Sequence, residues 1–148
     1  MGSLDTVLGT ENQAQVKLSP AEAFAAITLA ATCINGDLSE DEARCISSVL
    51  SRLKLFRNHT NDLMNRLIEK ILSILQRDGM NVLFNAAKES LNQDLREAAF
   101  AVATDLLLAE GIVTDEETIF LNDLYQALGV SREVAIKIVQ VILIKNRG

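Results

Sequence analysis

Hydrophobic positions recur at helical spacing along most of the chain. Between 63 and 75 they lie three or four residues apart, as on one face of an α-helix: Leu63, Leu67, Ile68, Ile71, Leu72 and Leu75. Two runs, AEAFAAITLAATCI at 21–34 and REAAFAVATDLLLAE at 96–110, are apolar over most of their surface. Such runs predict largely buried helices. No remaining segment alternates with the period of a strand, so the pattern predicts an all-α fold.

Helix-start signals divide this pattern into seven helices. A Ser or Thr followed three residues later by Glu forms a capping box, in which each side chain accepts a backbone N–H of the first turn. Boxes are expected at Ser19, Ser39 and Thr114, with Pro20 suited to the first helical position. The other helices are expected to start at Thr60 or Asn61, after Gly79, at Asn92 and at Ser131. Glycines at 36, 79 and 129 are expected to end helices.

The seven helices are expected to form one domain over residues 18–148. The chain of 148 residues is the usual size of a single domain. Residues 1–17 are polar and aperiodic, which predicts a flexible N-terminal arm. Nearly half of the residues are apolar but only 4% are aromatic, so the core must be built from Ala, Leu, Ile and Val.

The helices contain an internal repeat. A shift of 75 superimposes Gly36 on Gly111, Ser39 on Thr114 and Glu42 on Glu117. It also pairs apolar positions of the flanking helices, such as 23 with 98 and 46 with 121. Each unit is a buried helix, a glycine turn and a capped amphipathic helix. We expect the two helical hairpins to pack on one another about a pseudo-two-fold axis.

Charge and composition exclude several classes of function. The formal charge of −6 argues against a nucleic-acid partner, because phosphate contacts need clustered Lys and Arg. No apolar run is long enough to span a membrane, and the first residues lack the cationic start and apolar stretch of a signal peptide, so we expect a cytoplasmic protein with no membrane insertion. Cys33 and Cys45 are expected to be reduced, buried thiols. Arg52, Lys54 and Arg57 are expected to be solvated, the alternative being a small anion or partner patch.

The sequence predicts a protein that is not an enzyme. The only histidine, His59, lies in the polar segment RNHTND and is expected to be solvated rather than a general base. No phosphate-binding glycine loop is present. The last helix, EVAIKIVQVILIKN, is rich in Ile and Val and is expected either to enter the core or to form a homodimer surface.

The acidic turns CINGDLSEDE at 33–42 and LAEGIVTDEE at 108–117 allow two interpretations. They do not match a calcium-binding EF-hand, because the first ligand positions of both copies are hydrocarbon (Ala31 and Leu106). In the first interpretation the acids only cap helices and suit the helix dipole. In the second the two turns share a divalent cation, calcium or magnesium. The candidate ligands are Asn35, Glu42, Glu110 and Glu117, together with Asp105, which shares helical spacing with otherwise apolar positions.

These paired turns, with the apolar helices before them, resemble the tellurite-resistance TerB family and the related N-terminal domain of the DjlA co-chaperones. That family carries two copies of an Ala-Asp-Gly-x-hydrophobic-Ser/Thr-x-x-Glu signature. The resemblance covers Leu18 to the C-terminus. It implies a compact helical bundle, a cytoplasmic stress-related role and, in some members, a cation-binding acidic face.

The chain departs from the signature at the acid before each glycine, which is Asn35 in the first copy and Glu110 in the second. The closing acids Glu42 and Glu117 are kept. His59 is not followed by the Pro-Asp of a J-domain, so the chaperone-recruiting part is not expected. The resulting hypothesis is a non-catalytic, TerB-like stress-response module with protein partners and a weak divalent-cation site. The alternative is a purely structural protein–protein adaptor whose acidic turns are only caps.

Overall fold

The computed structural model describes residues 16–34, 38–109, 111 and 113–148. These ranges contain seven α-helices, as the sequence predicts, and no β-strand. A single 3₁₀ turn, Lys54–Phe56, follows the second helix. The helices are α1 (Pro20–Cys33), α2 (Glu40–Ser51), α3 (Asn61–Asp78), α4 (Met80–Glu89), α5 (Gln93–Leu107), α6 (Asp115–Leu128) and α7 (Arg132–Lys145).

The predicted helix starts are confirmed at the level of individual hydrogen bonds. All three capping boxes are present, with Ser19, Ser39 and Thr114 at the N-caps. Side chains also cap α3, α5 and α7, through Thr60, Asn92 and Ser131. The sequence locates these starts because a cap is a local interaction between residues three positions apart.

Two of the three predicted glycine stops lie in the described ranges. Gly129 ends α6 in the left-handed conformation, with φ of 74°, and Gly79 separates α3 from α4 with φ of 88°. The predicted stop at Gly36 lies outside the described residues, and α1 ends at Cys33. The second and fourth helices end at Ser51 and Glu89.

Helix α1 is the centre of the core. Ten of its fourteen residues are buried, so it is covered on nearly every side. Its most extensive contact is with α5, followed by α4. Alanines are fully buried on both α1 and α5, for example Ala23 and Ala99, and such small side chains let helices approach closely. The first helices of the two predicted hairpins therefore pack on each other.

The internal repeat holds for local structure but not for burial. Both copies have the capping box, yet Ala23 is fully buried while Ala98, its counterpart at a shift of 75, is exposed. The reason is the number of neighbours. Helix α1 is in contact with α5, α4, α3, α2 and the 3₁₀ turn, whereas α5 packs mainly on α1, α6 and α7 and leaves one side to solvent.

Three sequence expectations need correction. The buried face of α3 differs from the predicted stripe at its start: Leu63 is 44% exposed and Met64 is buried instead, whereas Leu67, Ile68 and Ile71 are buried as predicted. Both cysteines were expected to be buried, but Cys45 is exposed and Cys33 half-buried; neither forms a disulfide. Val16, inside the predicted arm, packs against the core. The rest of that arm, residues 1–15, lies outside the described residues.

The helices of the described ranges were also compared with the dimensions of a lipid bilayer. None of them combines the length and apolarity required to cross a membrane.

Candidate functional site

The first acidic turn is a helix cap in the described residues. The Glu42 backbone N–H donates to Ser39 Oγ at 3.1 Å, and the Ser39 N–H donates to Glu42 Oε1 at 3.0 Å. The Glu42 carboxylate therefore already satisfies a backbone donor of its own turn. Asn35, the other candidate ligand of this turn, lies outside the described residues.

The second acidic turn has the same hydrogen bonds in a more buried setting. Glu117 N–H donates to Thr114 Oγ1, and Thr114 N–H donates to Glu117 Oε1, both at 3.1 Å. Glu117 is only 6% exposed, whereas Glu42 is half-buried. Gly111, in the turn before the box, has φ of 82°, a conformation that favours glycine. Glu110 lies outside the described residues.

Asp105 has a partner that the sequence did not indicate. Its Oδ1 atom lies 3.0 Å from Nζ of Lys145, near the end of α7. The apolar residues that share the face of Asp105, such as Ala98 and Ala109, are exposed, and the Asp105 side chain is itself 38% exposed. A half-exposed aspartate paired with a lysine does not require a metal ion to compensate its charge.

Three of the five candidate cation ligands lie in the described ranges, and Asn35 and Glu110 lie outside them. Within the described ranges, no group of three or more His, Cys, Asp or Glu residues is arranged to hold a metal ion. Glu42 and Glu117 cap helices, and Asp105 forms an ion pair. Because Asn35 and Glu110 are not described, a shared cation site stays a prediction.

His59 is not the solvated residue that the sequence predicts. It is half-buried, and its ring lies 5.3 Å from that of Phe56, which in turn makes an edge-on contact with Phe24. Its Nδ1 atom is buried and has no hydrogen-bond partner. His59 therefore packs the 3₁₀ turn against the core. The basic residues before it, Arg52, Lys54 and Arg57, are exposed, as expected.

A groove between α6 and α7 is the main apolar feature of the surface. Of the eight large apolar side chains exposed in the described ranges, six lie between 113 and 144: Val113, Ile119, Ile136, Val141, Leu143 and Ile144. The groove has a volume of about 490 Å³. Phe100 and Leu108, both buried, form its floor.

The last helix explains why this groove exists. Only Ala135 of α7 is buried, although nine of the fourteen residues in this helix are aliphatic. Ile136 and Leu143 line the groove and are 44% and 37% exposed. The sequence left two roles open for α7, a core helix or an exposed surface. The structure gives it one face toward α5 and leaves the opposite apolar face open.

The residues that line the groove follow the spacing of a helix-bundle seam. On α6 the lining positions include Thr118, Asn122 and Tyr125, which are four and three residues apart. On α7 they include 132, 136, 139 and 143, with steps of four, three and four. This alternation of three and four is typical of helices that pack against further helices in a bundle.

Two long-range hydrogen bonds fix the directions of these helices. Gln93 Nε2 donates to the Gly129 carbonyl at 3.1 Å, so the end of α6 lies beside the start of α5. Asn146 Nδ2 donates to the Leu108 carbonyl at 2.9 Å, so the end of α7 lies beside the end of α5. Helices α6 and α7 are consequently antiparallel, with Asp115 and Lys145 at the same end of the groove.

The two helices that border the groove carry opposite net charge. Helix α6 contains four acids and no Lys or Arg; of the acids, Asp115, Glu116 and Asp123 are exposed. Helix α7 contains three bases and a single acid, Glu133, which pairs with Lys137 at 3.3 Å. The exposed face thus has an acidic edge along α6, an apolar centre and a basic edge along α7.

We compared the chain with protein families, curated proteins and solved structures. No family model, curated protein or solved structure matches it. The similarity to the TerB family therefore rests on the two turn motifs and stays a prediction.

Proposed function

We propose that this chain is a non-catalytic, TerB-like protein-interaction module that acts in the cytoplasm in a stress response. It binds protein partners through the α6–α7 face, and self-association is one use of that face. The observation that carries this proposal is the open apolar groove lined by the exposed side chains of Val113, Ile136 and Leu143.

The distribution of exposed apolar side chains supports an interaction surface. Single exposed Leu or Ile residues are normal on soluble proteins, but a contiguous apolar patch with a polar rim is typical of a binding site. Here six such side chains fall on one helical hairpin and the segment that leads into it. Leu63 and Met80, the other two, lie on α3 and α4.

In this proposal the acidic turns fix the starts of helices and are not themselves the surface that binds partners. The hydrogen bonds of Glu42 and Glu117 support the adaptor alternative, because each carboxylate is used within its own turn. The Glu117 box also fixes the start of α6, one wall of the groove. A cation at the turns would be a second property, and it depends on Asn35 and Glu110.

Site-specific photocrosslinking in cells tests the proposal. A benzophenone amino acid at Ile136, in the groove, should crosslink to discrete proteins, including this chain itself if it self-associates. The matched control is Asn85, an exposed residue of α4 outside the face. Equal crosslinking at both positions, or none at Ile136, would contradict a binding role for the groove.

A further inference from the structure

We propose that the α6–α7 groove binds a second copy of this chain, with α6 of each copy packed against α7 of the other. This inference rests on the proposed function, because it uses the same face, and it names a second copy of the chain as the partner that binds there. The result is a four-helix bundle made of two α6–α7 hairpins related by a two-fold axis that runs along the helices.

The shape of the face supports a helical hairpin as its occupant. Two antiparallel helices with an apolar groove between them present half of a four-helix bundle. The seam positions of the groove, including Ile136, Val139 and Leu143, have the three-and-four spacing by which such halves interlock. The groove and further exposed apolar side chains, such as Ile119 of α6, belong to the same hairpin, so each copy supplies both a groove and apolar side chains to contact the groove of the other.

Charge selects a second copy and also selects the symmetry. The acidic edge of α6 and the basic edge of α7 are complementary to each other. A two-fold axis parallel to the helices sets each α6 against the α7 of the other copy, so that acid meets base twice. A two-fold axis across the helices would instead set α6 on α6, with like charges opposed.

The same arrangement pairs individual residues by height along the bundle. Asp115 and Lys145 are at one end of the hairpin, and Asp123 and Lys137 are each eight residues further along their own helices. Because all α-helices rise equally per residue, Asp123 is level with Lys137. Both are exposed and neither lines the groove, so they lie outside the apolar seam, which charged pairs border in a helix bundle. In the dimer, Asp123 of one copy faces Lys137 of the other.

A charge-exchange experiment with the full chain tests this arrangement. Sedimentation velocity over a wide concentration range should show a reversible dimer for the natural sequence. Asp123→Lys and Lys137→Asp should each weaken the dimer about tenfold, since each puts like charges at two sites in a homodimer. An equimolar mixture of the two variants should recover dimerisation, because both cross-copy pairs are then of opposite sign.

Two controls make the outcome specific. Asn85→Asp, on α4, should leave the dimer unchanged, and circular dichroism should show that all variants keep the helical fold. Failure of the mixture to recover would overturn the proposed pairing. A natural chain that stays monomeric at all concentrations would overturn the second copy as occupant. In that case, crosslinks from Ile136 to other proteins would still support the proposed function, whereas a lack of any crosslink would overturn it as well.

Discussion

Removing the hydroxyl of one acidic turn at a time, by Ser39→Ala and Thr114→Ala, measures what the turns contribute as caps. Each change deletes the acceptor of a 3.1 Å hydrogen bond from the N–H of Glu42 or Glu117. The reciprocal bond from the N-cap N–H to the glutamate can still form, so only half of each box is lost. We expect each variant to lose about 1 kcal/mol of unfolding free energy.

The size of the thermal effect follows from the length of the chain. For a domain near 150 residues, 1 kcal/mol corresponds to a shift in Tm of about 3 °C. The hydrogen bonds of each box stay within their own turn, so the double variant should lose about 2 kcal/mol. Ser39→Thr and Thr114→Ser, which keep a hydroxyl, are the matched controls and should be close to the natural chain.

The same assay, urea unfolding followed by circular dichroism, separates a cap from a cation ligand. Glu42→Gln keeps an oxygen that can accept the Ser39 N–H, but it removes the carboxylate charge that calcium or magnesium prefers. If the turn is only a cap, millimolar calcium or magnesium should change neither the natural chain nor this variant.

Two results would refute the argument. Ser39→Ala without loss of stability would show that the box does not hold the start of α2. Stabilisation of the natural chain by a divalent cation, lost in Glu42→Gln and in Glu110→Gln, would show that the turns bind an ion in the folded state.

Three further predictions concern the core, the N-terminus and pH. In urea unfolding, Ala23→Leu should lower the unfolding free energy by about 1–3 kcal/mol, because the larger side chain overpacks the core. Ala98→Leu, at the exposed counterpart in the repeat, should change it by less than about 0.5 kcal/mol, and equal effects would contradict the unequal burial. Deleting residues 1–15 should leave the Tm nearly unchanged, whereas deleting residues 1–18 should lower the Tm because it removes the buried Leu18. A large fall in Tm from the shorter deletion would show that residues 1–15 pack against the domain. Partial burial raises the pKa of Glu22, but hydrogen bonds from Lys70 and Ser19 and the charge of Lys70 outweigh it, so the pKa lies below its ordinary value of 4.5. The Glu22 carboxylate therefore stabilises the fold above pH 4.5 and loses this effect as the pH falls through its lowered pKa. When unfolding is measured against pH, Lys70→Met should reduce the stability difference between neutral and acid pH. An unchanged pH profile would contradict the assignment of this effect to the Glu22–Lys70 pair.

The amino-acid sequence by itself determined where helices begin and what class of fold they form. Capping boxes, N-cap side chains and the glycine after Leu128 act between residues a few positions apart, so their effect does not depend on the rest of the molecule. The number of helices and the all-α class follow from these signals and from the helical period of the apolar residues. The sequence also predicted the same capping box in both acidic turns, which the matching hydrogen bonds of Glu42 and Glu117 confirm.

Only the tertiary structure decided which apolar residues are inside. Ala23 and Ala98 occupy equivalent places in the repeat but differ in burial, because α1 is surrounded by other helices and α5 is not. Asp105 forms an ion pair with Lys145, forty residues later in the sequence, and no local pattern predicts this contact. For the same reason the Ile- and Val-rich α7 could be predicted as a helix but not as a surface. Burial depends on the space between helices, and that space is set by how the seven helices of the described ranges pack together.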